Sequence, residues 1–326
     1  MNKPEIFAKA SLTEEQISVK ENIGCDGIEV QLLGEMIVDR KNGKYKSAEE
    51  SYDLSLLSKH EIRVVHAPIV KGLGDITLER MADDVDGYLM DQIFFIAEEA
   101  SKFHGRNTMV VMHSEEFYDR LSDMGDSWKR IVEKVALMLQ RYPHTELLIE
   151  NVSPLRDIGK GKELHLANNC TFDNVTMVNH LRNEISTDRI GTCLDTCHQM
   201  LTEKYLTVIY QAVADVPCPN YSIGHFVDIN KNFLKLVHLC DMTGSGYGSG
   251  RHGVPFHMGS YPKLAKILKT FEDAKVDCPL TLEVEETDFS VCSGYKNTKE
   301  QVDRYFKESN GFLGGADLIG GVQWKR

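Results

Sequence analysis

Six short β-like runs of this chain each end in a side chain that can bind a metal ion. The runs are Arg63–His66, Met109–His113, Leu147–Glu150, Thr192–His198, Leu236–His238 and Leu280–Glu283. A residue at the C-terminal end of a parallel strand points into the mouth of a barrel, where several strands can converge on one site. The pattern therefore predicts a cluster of imidazole and carboxylate groups at one end of a parallel barrel.

Apolar, β-branched runs alternate with amphipathic helical segments, which is typical of a parallel sheet with right-handed crossovers. The sequence predicts eight strands: Ile6–Ala10, Gly27–Leu32, Arg63–His66, Thr108–His113, Leu147–Glu150, Gly191–Asp195, Leu234–Leu239 and Leu280–Val284. It predicts helices between them over Thr13–Asn22, Asp91–Phe103, Trp128–Arg141, Phe172–Leu181, Leu201–Val213 and Tyr261–Ala274. Eight strand–helix units favour a closed (β/α)8 TIM barrel over an open sheet.

The length of 326 residues fits one such barrel, commonly about 250 residues with insertions. We therefore expect a single domain over residues 1–326, with loop insertions at Ser153–Asn169 and Val216–Asn232. A third loop, Thr243–Gly253, is rich in glycine and follows the seventh strand. In a barrel, the loops that follow strands shape the active site.

Net charge and the lengths of the apolar runs limit the kinds of molecule that this protein is expected to bind. The formal net charge of −12 is opposite to that of a general nucleic-acid coat, so nucleic-acid binding is disfavoured though not excluded. The chain lacks the roughly 20 consecutive apolar residues that a membrane span needs, and Met1–Lys9 is too polar for a signal peptide. We expect no membrane contact and a cytoplasmic location. The sequence leaves the oligomeric state open, a homo-oligomer included.

Eight cysteines are scattered along the chain. The nearest pair, Cys193 and Cys197, is separated by three residues and does not have the C-x-x-C spacing of a zinc or redox motif. In a long chain without an export signal, reduced thiols are expected. Several of these cysteines lie in apolar strands, so the sequence favours small buried hydrophobic residues.

Four candidate ligands recur with nearly constant spacing. Glu150, Asp195, His238 and Glu283 follow one another at intervals of 45, 43 and 45 residues. Each successive strand–helix unit would thus supply one ligand. Carboxylates with one imidazole suit Mn²⁺, Mg²⁺, Co²⁺ or Zn²⁺.

Further histidines could hold additional ions. His66 and His113 belong to the two preceding units and could bind a second ion, with Glu150 as a bridge. His198, with His252 or His257, could bind a third, and nitrogen-rich sites favour zinc. A lone histidine after an apolar run is more often a structural residue. Here the candidate residues occupy matching strand-end positions in successive strand–helix units, and this regularity favours their interpretation as metal ligands.

These residues resemble those of the xylose isomerase-like barrels, the group that holds endonuclease IV and the sugar isomerases and epimerases. The resemblance spans roughly residues 5–290, and its most specific segment is Gly191–His198, GTCLDTCH. That segment is very similar to the Cys-hydrophobic-Asp-Thr-Cys-His signature of the endonuclease. The resemblance implies one ion on His66, His113 and Glu150, another on Glu150, Asp195, His238 and Glu283, and a third on His198 and His252.

The chain departs from the endonuclease at three places. Gly250 stands where the endonuclease has an Asp, two residues before the histidine matched to His252. Ala67–Gly72 replaces a Tyr-hydrophobic-Ile-Asn run of the DNA-contacting loop. The segment His238–Asp241 reads His-Leu-Cys-Asp where the endonuclease has His-x-Asn-Asp. The four-ligand core shared with the isomerases and epimerases is retained.

The resemblance therefore implies a divalent-metal-dependent isomerase or epimerase of a small sugar, sugar phosphate or polyol. Zinc or manganese is expected, with one to three ions. Glu150 and Glu283 would transfer the proton, and His198 and Arg251 would orient hydroxyl groups or a phosphate. The alternative is a zinc-dependent phosphodiester hydrolase that acts on abasic sites, like endonuclease IV. A metal-dependent lyase or dehydratase is a third candidate, and a non-catalytic binding protein conflicts with an intact ligand set.

Overall fold

The structure is a computed structural model that describes residues 3–39, 44–70, 74–75, 77–78, 80, 84–114, 125–152, 155–158, 161–164, 171–212, 220–243, 251–286 and 288–313. Eight parallel strands close into a barrel, as the sequence predicts. We number them β1 Ile6–Ser11, β2 Gly27–Leu33, β3 Ile62–Val70, β4 Thr108–His113, β5 Thr145–Glu150, β6 Ile190–Asp195, β7 Leu234–Leu239 and β8 Leu280–Leu282. Each pairs with the next, and β8 pairs with β1 to close the ring.

Helices alternate with the strands and form the outer layer. They are α1 Glu14–Asn22, α2 Asp84–His104, α3 Asp126–Arg141, α4 Thr171–Ile185, α5 Thr196–Ala212, α6 Ile223–Asn230, α7 Tyr261–Asp273 and α8 Ser293–Leu313. The crossover between β2 and β3 carries only short helical turns, Gly34–Ile37, Ala48–Ser51 and Leu56–Lys59. In the part of the chain that the structure describes, no helix has both the length and the apolar character needed to cross a bilayer.

The two predicted insertions contain regular structure. In Val216–Asn232, which the sequence analysis treated as a loop, α6 begins after Ser222, whose hydroxyl accepts a hydrogen bond from the backbone N–H of His225. Residues 216–219 of this insertion lie outside the described residues. In Ser153–Asn169, the short strands Leu155–Ile158 and Gly161–Leu164 pair antiparallel, and the rest of that insertion also lies outside the described residues.

A buried apolar layer fills the barrel below its C-terminal mouth. Seven of its side chains pack as one cluster: Phe7, Val64, Met109, Val111, Leu148, Cys193 and Leu236. Gly27 belongs to the same region, because a Cβ atom there would meet Arg63 Cγ at 2.8 Å and Phe7 Cδ1 at 3.0 Å. Since side chains alternate with a period of two along a strand, the next inward residue on each strand lies above this layer.

The glycine-rich loop returns towards the barrel mouth. Its residues 244–250 lie outside the described residues, but Asp241–Thr243 pairs antiparallel with Arg251–Val254. Gly253 has φ +70°, and a Cβ atom there would meet Glu285 Cγ at 2.8 Å. Glycine is required here both for its backbone conformation and for this close approach. The pairing brings His252 to the ends of β6 and β7.

Candidate metal centre

The inward residues above the apolar layer are almost all charged or imidazole side chains. Six of them follow a member of that layer by two positions: Lys9, His66, His113, Glu150, Asp195 and His238. Glu29 and Glu283 complete the set from β2 and from the segment just after β8. Because side chains alternate along each strand, the residues two positions after the apolar layer form a polar layer above it. The strand-end residues predicted from the sequence lie together in this polar layer.

Glu150 lies at the centre of this polar layer and is fully buried. Its Oε2 atom lies 3.1 Å from His66 Nε2 and 3.3 Å from His113 Nε2. Its Oε1 atom lies 3.3 Å from His238 Nδ1. The two oxygens of one carboxylate thus face two different groups of histidines, which is the arrangement that a bridging ligand needs.

Glu283 approaches the same centre from the other side of the barrel. Its Oε2 atom lies 2.7 Å from His238 Nδ1. Glu150 Oε1, His238 Nδ1 and Glu283 Oε2 are all buried, and none has a hydrogen-bond partner among the described residues. Buried polar atoms are normally hydrogen-bonded, so three such atoms at one point form a donor set that fits a cation.

Two sets of donors fit a divalent ion. One ligand atom from each of Glu150, Asp195, His238 and Glu283 lies within 4.8 Å of the others, and the same holds for His66, His113 and Glu150. The first set offers three carboxylates and one imidazole, and the second offers two imidazoles and one carboxylate. Oxygen and nitrogen donors in these proportions suit zinc or manganese.

The charges of the centre keep its carboxylates ionised. Burial raises the pKa of Glu283, but the positive charges of Lys9 and His238 hold that pKa well below its usual value. Burial likewise opposes ionisation of Glu150, while His238 and His113 hold its pKa well below the usual value. Ionised carboxylates are the form that binds a cation and accepts a proton.

Lys9 and Glu29 complete the polar layer, and neither is among the site residues predicted from the sequence. Lys9 and Glu29 are paired in register across β1 and β2. Lys9 Nζ lies 2.7 Å from Glu283 Oε1 and 3.5 Å from Glu29 Oε1. Glu29 is fully buried, and its Oε2 atom lies 3.0 Å from His238 Nε2. A charged residue inside an otherwise apolar strand was the signal that could have identified both.

Glu29 orients His238 towards the centre. Because a carboxylate only accepts hydrogen bonds, His238 must donate its Nε2–H to Glu29. The proton that a cation would displace from the charged imidazole is therefore the one on Nδ1. His66 is fixed in the same way, since its Nδ1 lies 2.9 Å from the carbonyl oxygen of Ala67 and its Nε2 faces Glu150. Such outer partners hold a ligating imidazole in one tautomer and orientation.

Replacing Glu29 by glutamine is expected to weaken binding of Zn²⁺ by about 10- to 100-fold. The amide keeps the size of the side chain but loses the charge that holds His238 in its ligating tautomer. Competition with a chromophoric chelator measures the affinity directly. Glu146→Gln is the matched control, because Glu146 lies on β5 but binds Lys235 and Asn107 away from the centre. If Glu29→Gln bound Zn²⁺ as tightly as the wild-type protein, Glu29 would not be needed to orient His238.

His198 and His252 stack on each other, with ring centroids 4.7 Å apart, but they face different partners. His198 Nδ1 lies 2.8 Å from the carbonyl oxygen of Asn151 and 3.5 Å from Glu150 Oε1. His252 Nε2 lies 3.4 Å from Asp195 Oδ2. Burial lowers the pKa of His198, which favours its neutral form. The Arg251 side chain lies outside the described residues, so its predicted role stays a prediction.

Solved structures share this fold. L-ribulose 3-epimerase matches with a TM-score of 0.57 and 11% identity, over 98% of this chain and 100% of that one. The IOLI protein with a bound zinc atom matches with 0.55 and 12%, over 93% and 98%. An AP endonuclease, family 2, from Brucella melitensis matches with 0.52 and 12%, over 89% and 96%. At these identities the likeness concerns the fold.

No curated protein matches the sequence. A family model does, and it describes a xylose isomerase-like TIM barrel over residues 19–308. This match covers most of the chain, and it agrees with the barrel and with the likeness to solved structures. The chain belongs to the xylose isomerase-like TIM barrel family.

Proposed function

We propose that this protein is a divalent-metal-dependent epimerase or isomerase of a small sugar, sugar phosphate or polyol. The observation that carries the proposal is the convergence of Glu150 and Glu283 on His238 Nδ1, at 3.3 Å and 2.7 Å. The two glutamates come from β5 and from the end of β8, which are not neighbours in the barrel. Opposed carboxylates can reach the two faces of one small substrate.

Glu150 and Glu283 would carry out the proton transfer. One carboxylate takes the proton from the carbon next to the substrate carbonyl, and the other returns a proton to the opposite face of that carbon. One C–H bond is broken and one C–H bond is formed at the same carbon, so the configuration of that carbon is inverted. His198, whose Nδ1–H is donated to Asn151, presents its other ring nitrogen to a substrate hydroxyl group.

Glu150, Asp195, His238 and Glu283 would hold the ion of the reaction. When bound, a divalent ion polarises the substrate carbonyl and stabilises the negative charge that develops on its oxygen. Zinc is the first candidate, because the IOLI structure binds it and the donor set suits it; manganese is the second. His66 and His113 would hold a further ion with Glu150.

The experiment is a proton-exchange assay in D₂O with a panel of ketoses that includes L-ribulose, the sugar in the name of a similar epimerase. Incorporation of deuterium at the carbon next to the carbonyl, followed by NMR, is the expected result. Chelation should abolish the exchange, and added Zn²⁺ or Mn²⁺ should restore it. Exchange that survives complete removal of metal contradicts the proposed mechanism.

A phosphodiester hydrolase is the second candidate, and one observation favours it. His66 and His113 both lie against Glu150 Oε2, so a second ion could lie next to the first, as in two-metal hydrolysis. Cleavage of a duplex with an abasic site would favour this candidate.

The His198→Ala variant separates the two candidates. We expect at most about a tenfold loss of sugar proton exchange, because in that reaction His198 only orients a hydroxyl group. A hydrolase that uses His198 as a ligand would lose activity almost completely. Both activities can be measured on the same metal-loaded preparation, with circular dichroism as the control for folding.

The remaining expectations concern the whole molecule. We propose one domain over residues 1–326, a cytoplasmic location and a small-molecule sugar or polyol as the partner. Nucleic acid is disfavoured as a partner but belongs to the hydrolase candidate, and the oligomeric state is left open. A lyase or dehydratase reaction would also use the same carboxylates. It would be recognised in the NMR assay by loss of water from the substrate, without inversion at carbon.

A further inference from the structure

Two thiols lie beside the centre just described. Cys197 is at the start of α5, and Cys240 follows β7 directly. Both are fully buried, and neither forms a disulfide. One ligand atom from each of Cys197, Cys240, Asp195 and His252 lies within 4.8 Å of the others. The proton-transfer reaction proposed above uses neither thiol.

Two distances within this group match those between the ligands of a tetrahedral ion. Asp195 Oδ2 lies 3.4 Å from His252 Nε2 and 3.7 Å from Cys240 Sγ. With zinc–ligand distances of about 2.0–2.3 Å, the edges of a tetrahedron of ligands measure about 3.3–3.8 Å. Both contacts are hydrogen bonds in the metal-free arrangement, and their lengths also match the distance between two ligands of one ion.

The burial of this group and its access to solvent also suit a metal site. Asp195, Cys197 and Cys240 are held below the surface by the ends of β6 and β7, whose register places Asp195 beside His238. The side chain of His252 is 31% exposed, so one side of the group is open for an ion to enter. Thr196 fixes the geometry between the two strands, because its hydroxyl donates to the carbonyl of Cys240 and accepts from the backbone N–H of that residue.

We propose that Cys197, Cys240, His252 and Asp195 form a separate zinc site. Two thiolates, one imidazole and one carboxylate make a four-coordinate, soft donor set that selects zinc over magnesium or manganese. Asp195 also belongs to the group with Glu150, His238 and Glu283, so its carboxylate would connect the two ions. The thiol site binds its metal whether or not the barrel acts on sugars, and it is tested without any substrate.

Cobalt titration of the reduced, metal-free protein tests the proposal. Thiolate ligands to Co²⁺ give charge-transfer absorption in the near ultraviolet, whereas the oxygen and nitrogen donors of the main centre do not. The wild-type protein is expected to show this absorption, and zinc is expected to displace it. In Cys197→Ser and Cys240→Ser the absorption should fall by about half or more, and in the double variant it should vanish, because each thiolate contributes separately.

Cys193→Ser is the matched control. Cys193 is also buried, and it lies within ligand distance of Glu150 and His238. Among the described residues it is therefore the thiol that could bind an ion of the main centre. Its replacement should leave the absorption unchanged. Absorption that persists in the double variant, or that disappears in Cys193→Ser, would overturn the assignment.

His252→Gln keeps the test decisive if a cysteine variant fails to fold. His252 is partly exposed, so its replacement leaves the buried thiols in place. We expect a loss of cobalt affinity of more than about tenfold with the thiolate absorption retained at saturation, since one of four ligands is removed.

Zinc analysis by mass spectrometry under native conditions should show one ion fewer per chain in the double cysteine variant, and an unchanged count would contradict the proposal.

Discussion

Replacing Glu283 by glutamine is expected to slow proton exchange of the sugar substrate by about 10²- to 10⁴-fold. Glutamine keeps the shape of the side chain, but it can neither accept a proton nor offer a charged oxygen to a cation. Glu283 Oε2 lies 2.7 Å from His238 Nδ1 at the point where the buried donors converge. The rate of deuterium incorporation at saturating metal, measured by NMR, gives the effect, and Glu150→Gln should have a loss of the same order.

Glu285→Gln is the control for this prediction. Glu285 follows Glu283 by two residues and is exposed, so the same chemical change is made next to the centre without altering it. Glu285→Gln should stay within about threefold of the wild-type rate. If Glu283→Gln also retained that rate with its metal bound, Glu283 could not transfer the proton, and the epimerase mechanism would have to be abandoned.

Replacing Lys9 by methionine is expected to lower the free energy of unfolding of the metal-free protein by about 3–5 kcal/mol. Lys9 Nζ lies 2.7 Å from Glu283 Oε1 and 3.5 Å from Glu29 Oε1. Methionine fills a similar volume, but it leaves the buried Glu29 and the largely buried Glu283 without the ammonium group between them. Urea denaturation of both proteins in the presence of a chelator measures the difference.

Lys3→Met provides the comparison for Lys9→Met. Lys3 pairs with Asp303, and both side chains are 39% exposed, so losing that pair should cost no more than about 1 kcal/mol. Saturating Zn²⁺ should reduce the deficit of Lys9→Met, because a dication replaces part of the lost positive charge. A deficit below about 1 kcal/mol without metal would mean that Lys9 does not neutralise the centre.

The sequence was sufficient to predict the barrel because its strands are short, apolar and regularly spaced. The same regularity placed one ligand candidate at the end of each of six strands, and the closed sheet brings those ends together. The period-two alternation accounts for this: Leu148 and Leu236 fill the apolar layer, and the inward residues two positions later, Glu150 and His238, reach the centre.

Other features needed the three-dimensional arrangement. Lys9 and Glu29 lie inside strands rather than at their ends, and only the register between β1 and β2 shows that they are paired. Cys197 and Cys240 are far apart in the chain and come together only because α5 starts beside the end of β7. Helix α6 was not predicted, although Ser222 followed by apolar Ile223, Phe226 and Val227 has helical spacing.

The apolar layer below the centre has a consequence for kinetics. Its tightly packed side chains, Phe7, Val64, Leu148 and their neighbours, seal the opposite end of the barrel. In the proposed epimerase, reactant and product would therefore share the C-terminal entrance, and the pocket would have to empty before the next turnover begins. Product is then expected to compete with reactant for the free enzyme, so progress curves should bend early as the two sugars approach their equilibrium ratio.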